Sequence, residues 1–320
     1  MSLLPLRVRS IAQEAPGVNC YELVDSRELE LPPFSAGAHL DVAVPGGAVR
    51  QYSLCNDPRE RDRYVIGVLK VEDGRGGSAA MHGVRPGDVL AVSTPRNNFP
   101  LVEGAASHLL IAGGIGVTPM MAMVERLGAL GADFTLHYCT RSVERTPFRR
   151  RLDPLARRGR VVYHHDGGDP SRGLQAAALL REHSPGTHLY VCGPAGLMAA
   201  VRAAARHWPE GTVHFEAFTA AGLAPAAAAA PQGEAEFSVR VASTGAVLGV
   251  MPGRSIVQTL REAGIECATS CEAGVCRTCR TRYLGGTPEH HDLVLDDAER
   301  GEYVLICCAR AKPGVLVLDL

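Results

Sequence analysis

Apolar residues along the first third of the chain gather in short β-type runs such as HLDVAV (39–44), RYVIGVLKV (63–71) and DVLAVS (88–93), separated by Gly and Pro turns. Short β-type runs between turns predict that residues 1–103 form a small all-β barrel. The pattern changes at SHLLIAGGIGVTPMMAMVERLGAL (107–130), where a continuous apolar run meets a glycine turn and then a helical period. Strands FTLHYC (134–139), VVYHHD (161–166) and THLYVCG (187–193) follow, with a helix expected over GLQAAALLREH (173–183). Strands alternating with helices predict a parallel, doubly wound α/β sheet over residues 104–222. TAAGLAPAAAAAPQGEAE (219–236) has no periodic apolar face, and residues 223–233 within it are expected to be an interdomain linker. A hairpin (236–244 and 246–252), a short helix (255–264) and a closing strand (315–320) then predict a third domain over residues 234–320.

Composition narrows the classes of function. A chain of 320 residues with 46% hydrophobic and 21% charged side chains has the makings of more than one packed core. Lys+Arg 33 against Asp+Glu 34 leaves a net charge of -1, so no basic field draws in a phosphate backbone and nucleic acid is not an expected partner. The most apolar stretch, Leu109 to Val124, is interrupted by Gly113, Gly114, Gly116 and Pro119 and is shorter than the ~20 residues of a spanning helix. No membrane span is expected. The start, MSLLPLRVRS, lacks the apolar core and cleavage site of a signal peptide, which makes the cytoplasm the expected compartment; a monomer is taken as the default state.

Six of the ten cysteines fall near the C-terminal end, at positions 267, 271, 276, 279, 307 and 308. The run CEAGVCRTC places Cys271, Cys276 and Cys279 at C-x4-C-x2-C, with Cys307 or Cys308 following, the ligand spacing of a plant-type 2Fe-2S centre. Backbone N–H groups must approach the sulfurs of such a centre, and the small residues Ala273 and Gly274 leave room for that. A structural zinc site is the alternative, but it ordinarily takes a C-x2-C pair on both sides. Spacing alone does not choose between Cys307 and Cys308. Cys267 is expected to be a buried small hydrophobe.

The last part of the chain resembles plant-type ferredoxins, and the whole resembles the phthalate dioxygenase reductase and vanillate O-demethylase reductase family, single-chain reductases of Rieske-type aromatic oxygenases. The resemblance implies an α+β ferredoxin (β-grasp) domain behind a flavin-binding barrel and an NAD-binding α/β domain. It also selects Cys307 as the fourth ligand, because the family's Cys-x-Ser-Arg-Ala motif maps onto Cys307-Cys308-Ala309-Arg310-Ala311, with Ala309 in place of Ser.

Two further constellations bear on cofactors. RQYSL (50–54), GRGGS (74–78) and PRNNF (95–99) together form a candidate phosphate cradle: Gly76, Gly77 and Ser78 offer backbone N–H groups and a hydroxyl, and Arg50 a charged donor. The family's R-x-Y-S-L motif implies that Arg50 serves the phosphate, Tyr52 packs on the flavin ring and Ser53 lies near N5, with Gln51, Leu54, Arg96 and Asn97 alongside. The company of GRGGS and PRN resembles the reductases that use FMN rather than FAD. In AGGIGVTPM (112–120), Gly114 and Gly116 precede Thr118, expected to cap a helix, and Pro119, expected at its first position; a pyrophosphate fits such a helix start. YVCGPAGLM (190–198) repeats the strand-to-helix turn with Cys192, Gly193 and Pro194, and the family's signatures imply that both turns frame a nicotinamide. Arg141, with only Arg145 close by, makes a sparse 2'-phosphate site, so NADH is expected over NADPH. Phe218 matches the aromatic residue that shields the flavin in the family.

NADH gives up a hydride and an iron-sulfur centre takes one electron, so a flavin between them is chemically required, and the expected order is NADH, FMN, 2Fe-2S. Positioning by Ser53, Cys192 and Phe218, and no general acid or base, is the expected protein contribution. The expected acceptor is the Rieske centre of a partner oxygenase, with a P450 as the alternative, and Arg277, Arg280 and Arg282 are candidates for docking its acidic face.

Overall fold

The computed structural model describes residues 3–72, 76–218 and 236–320, apart from 270, 271, 273, 275, 276, 293 and 296. The chain divides into two compact units, Met1–Glu216 and Ala217–Leu320.

The first unit begins with six antiparallel strands: β1 (Leu3–Ala15), β2 (Val18–Asp25), β3 (His39–Ala43), β4 (Val49–Ser53), β5 (Tyr64–Leu69) and β6 (Val89–Ser93), ordered β4-β3-β6-β1-β2-β5. A bridge between Leu54 and Ile66 joins the two edges, so the sheet curls into a barrel and leaves no free edge there. The interior is lined by Leu6, Val8, Tyr21, Leu23, Leu40, Val42, Ile66, Leu90 and Val92, all buried. Each such side chain contributes about 1.5–3 kcal/mol relative to exposure. A helix α1 (Gly77–His82) follows β5.

Five parallel strands complete this unit: β7 (Ser107–Gly113), β8 (Phe134–Thr140), β9 (Val161–His165), β10 (Thr187–Cys192) and β11 (Val213–Glu216). Their order, β11-β10-β7-β8-β9, means that the chain leaves the central β7 in one direction and later returns to its other side. The crossovers carry α2 (Val117–Leu130), α3 (Arg149–Ala156), α4 (Ala176–Leu179) and α5 (Ala195–Ala204). A switch point therefore lies between the carboxyl ends of β7 and β10, where a doubly wound sheet opens a crevice. The Gly131 N–H donates to Gly128 and the Ala132 N–H to Leu127, which stops α2 on a left-handed glycine at φ 65°. The helix expected over 173–183 is only four residues long, Ala176–Leu179, and Gly173 at φ -87° and ψ -148° lies outside helical backbone.

Barrel and parallel sheet share one core. Ala36, Cys55, Val65 and Phe99 of the barrel side pack in the same cluster as Leu110, Val117, Met120, Met121 and Val124. Gly67 makes the approach possible: a Cβ there would stand 2.9 Å from Thr118 Cγ2 and 3.1 Å from Phe148 Cζ.

The second unit is a mixed sheet with one helix across it. Its strands are β12 (Phe237–Val241), β13 (Val247–Val250), β14 (Arg280–Gly285), β15 (Pro288–Glu289), β16 (Tyr303–Leu305), β17 (Arg310–Ala311) and β18 (Val315–Leu318), with helices α6 (Ile256–Glu262) and α7 (Asp297–Arg300). The main order is β13-β12-β18-β14-β16, with β12 and β18 parallel. Ser255 and Gln258 close a capping box at the start of α6, whose Ile256, Val257 and Leu260 are buried against the sheet. Arg310 is buried, donates to the carbonyls of Arg254 and Met251 and lies 4.8 Å from the Phe237 ring centre. It pins the turn ahead of α6 to the start of β12.

Candidate functional site

The first candidate site lies where the end of β4 meets the ends of β10 and β11. Ser53 is buried, and its Oγ donates to Glu216 Oε2 at 3.4 Å. Glu216 ends β11 in register with Cys192 at the end of β10, so hydroxyl, thiol and carboxyl converge. Burial pushes the Glu216 carboxyl up from 4.5 to about 8, against the opposing hydrogen bond from Ser53. Burial, reinforced by Glu216, also raises the Cys192 thiol far above its ordinary range, so it stays protonated and is no nucleophile. Sequence reasoning missed Glu216. Its one signal was an acidic residue between Phe215 and Ala217 at the end of a strand, next to the Phe218 that drew the attention. Phe218 itself is 41% exposed.

Two glycine turns meet backbone to backbone at the switch point. A Cβ on Gly116 would stand 2.3 Å from the Cys192 oxygen, one on Gly113 2.5 Å from Pro194 Cδ, and one on Gly193 3.0 Å from Gly113 Cα. Only glycine fits this closure, and it leaves a bare strand-end surface against which a dinucleotide can lie. Gly114 takes the left-handed region at φ 53°. The expected cap is not at Thr118. A tight turn over Gly114–Gly116 runs straight into α2, which begins at Val117 with Gly116 as its cap, so Thr118 and Pro119 are its second and third residues. The Thr118 hydroxyl instead donates to the Ile115 carbonyl at 2.9 Å. Arg141 is exposed just past β8, and its carbonyl accepts from the Gly167 N–H.

On the barrel, Arg50 lies over Gly77, where a Cβ would meet its Nε at 2.5 Å, and Gly76 is left-handed at φ 77°. This is a cradle that a side chain would fill, and with Ser78 it fits an anionic group. The Ser78 hydroxyl accepts from the Val71 N–H and keeps its own proton to donate. Tyr52 is half-buried and Gln51 bonds to His39. Three other expected residues serve the barrel. Leu54 is in the core, Arg96 is paired with Asp41, and the Asn97 amide donates to Ser35 and Ala36 while accepting from the Phe99 N–H.

In the second unit, Cys271 and Cys276 lie outside the described residues. Cys279 and Cys307 are both buried. The Gly274 N–H donates to Cys307 Sγ at 3.2 Å, and hydrogen bonds from Cys279, Cys308 and this N–H hold the Cys307 thiol well below the ordinary thiol range. A site that favours thiolate and supplies a backbone donor fits an iron-sulfur ligand. Cys267 is half-buried at the edge of the core, less enclosed than expected. Arg277 and Arg280 both pair with Glu299, and Arg280 also lies 4.5 Å from the Tyr303 ring centre. These two arginines brace α7 through Glu299.

Two family models match the chain: an oxidoreductase NAD-binding domain over residues 110–203 and a 2Fe-2S iron-sulfur cluster binding domain over residues 239–312. Fold and sites thus define a flavin- and NAD-dependent iron-sulfur oxidoreductase. The chain is 50% identical to the reductase subunit of tert-butanol monooxygenase / tert-amyl alcohol desaturase of Aquincola tertiaricarbonis, over 99% of this chain and 96% of that protein. It is 43% identical to phthalate dioxygenase reductase of Burkholderia cepacia, over 99% and 97%. A solved phthalate dioxygenase reductase, described as a modular structure for electron transfer from pyridine nucleotides to [2Fe-2S], matches with a TM-score of 0.74 at 42% identity, covering 100% of this chain and 98% of that one. The chain belongs to the phthalate dioxygenase reductase and vanillate O-demethylase reductase family. No described helix is long and apolar enough to cross a membrane.

Proposed function

We propose that the chain passes electrons from NADH through FMN and a 2Fe-2S cluster to the Rieske centre of a separate aromatic oxygenase or O-demethylase. The observation that carries this reading is the convergence of Ser53, Cys192 and Glu216 beside two glycine-lined strand ends. Residues 1–103 would hold FMN through Arg50, Gln51, Tyr52, Ser53, Gly76, Gly77 and Ser78. Residues 104–222 would hold NADH through Gly114, Gly116, Thr118, Pro119, Arg141, Cys192, Gly193 and Pro194, with Phe218 shielding the flavin. Residues 223–233, which lie outside the described residues, would link this part to residues 234–320, where Cys271, Cys276, Cys279 and Cys307 would hold the cluster.

Bound flavin supplies the exchange of one hydride for two single electrons. The chain's own residues supply alignment, which is the larger part of catalysis when no proton need be abstracted. Ser53 fixes the Glu216 carboxyl by donating to Oε2, and at neutral pH that buried carboxyl keeps its proton in most molecules. Cys192, held as a thiol, shapes the floor of the crevice without reacting. The shared core keeps water from beneath both turns.

An anaerobic visible spectrum of the purified protein, with the released flavin identified and NADH added stepwise, tests the path. Released FMN, with flavin and iron-sulfur absorption both bleaching at about one NADH per two electrons accepted, is the expected result. Flavin bleaching without iron-sulfur absorption would refute the cluster assignment. Reduction of a purified P450, and not of a Rieske oxygenase, would refute the acceptor.

A further inference from the structure

Two cysteines stand side by side after β16, and the cluster reading uses only one. Neighbouring residues of a strand point to opposite faces, but here the Cys308 and Ala309 N–H groups both turn back onto the Leu305 carbonyl, at 3.0 and 2.9 Å. That turn sends both sulfurs toward the same glycine. The Gly274 N–H donates to Cys307 Sγ at 3.2 Å, while a Cβ built on Gly274, which is left-handed at φ 71°, would stand 2.7 Å from Cys308 Sγ. A side chain at 274 would thus displace Cys308 from beside its neighbour. Cys308 is half-buried and Cys307 buried, which suits a supporting thiol and a ligand respectively. The Cys308 thiol has one proton and reaches the Leu305 carbonyl at 3.6 Å, while the Cys307 sulfur stands against the same glycine as its own.

We propose that Cys308 is a positioning residue whose S–H donates to the sulfur of Cys307 and raises the reduction potential of the cluster held there. This rests on the reading of Cys307 as a ligand. Reduction adds one negative charge, shared over the sulfurs, and a donor aimed at a ligand sulfur stabilises the reduced form more than the oxidised one. Among thiolates a charge-assisted acceptor also outcompetes a neutral carbonyl for the single proton.

The experiment is a reductive titration of the holoenzyme followed by electron paramagnetic resonance, in wild type, Cys308→Ala, Cys308→Val and Cys308→Ser. The alanine and valine variants are expected to show a reduced-to-oxidised ratio about tenfold lower at a fixed potential, equivalent to about 59 mV for one electron. The serine variant, which keeps a donor, is expected within about threefold of wild type, with unchanged g-values. Wild-type potentials in alanine or valine, or an equal shift in serine, would overturn the proposal. Retention of iron only in serine with altered g-values would make Cys308 a ligand and overturn it too, as would loss of iron from all three variants. A wild-type protein without any iron-sulfur signal would instead refute the function proposed above, which separates the two failures.

Discussion

The nicotinamide turns and the cysteine loop are both backbone devices, but they differ in what each residue does. At the switch point the decisive residues have no side chain: Gly113, Gly116 and Gly193 work by letting two strand ends touch. In the cysteine loop the decisive atoms are sulfurs, and the glycine, Gly274, serves by presenting its N–H to one of them. A shape-based site should therefore degrade by degrees when a methyl group is added, whereas a ligand-based site should fail outright when one donor is removed.

The largest effect expected from that contrast is at the cluster. Cys307→Ala or Cys279→Ala should abolish iron-sulfur absorption and cytochrome c reduction, while reduction of the bound flavin by NADH, measured by stopped flow, stays within about twofold of wild type because the first unit has its own core. Loss of flavin reduction as well would break the contrast. Next, Gly116→Ala should lower kcat/KM for NADH by about 100-fold, the cost of a misplacement near one ångström, with flavin content retained. A value within about threefold of wild type would show that the closure yields easily.

A smaller effect sharpens the role of Glu216. Its folded value lies above 4.5, at about 8, so between those limits the native state binds more protons than the unfolded one and stability falls as pH rises. Glu216→Gln removes this loss. In thermal unfolding from pH 5 to 9 the variant should gain on wild type up to about pH 8 and stay level beyond it, by a few degrees. A pH-independent gap would refute the burial effect. Smallest, Asn97→Ala should cost about 1–3 kcal/mol in stability while leaving flavin affinity unchanged, as fits an amide spent on Ser35 and Ala36. An affinity loss without a stability loss would return Asn97 to the flavin site.

The sequence made some of this plain and hid the rest for physical reasons. Short β-type runs between turns and the strand-helix alternation made the barrel and the wound sheet legible, because local burial patterns reflect local geometry. The cysteine spacing gave a metal centre because ligands must be close along the loop. Glu216 was invisible because its partners, Ser53 and Cys192, are brought to it only by the order of the strands. The bracing role of Arg277 and Arg280 was hidden because Glu299, which engages both, comes from a later helix. Thr118 read as a cap because a tight glycine turn that starts the helix early leaves no mark in a hydrophobic pattern.

The shared cluster around Val65, Phe99, Val117 and Met120 has a further consequence. A fragment ending near residue 103 would present Ala36, Cys55, Val65 and Phe99 to water, so barrel and wound sheet must be inherited, expressed and denatured as a single cassette, and neither half can be exchanged for a foreign one without redesigning the seam.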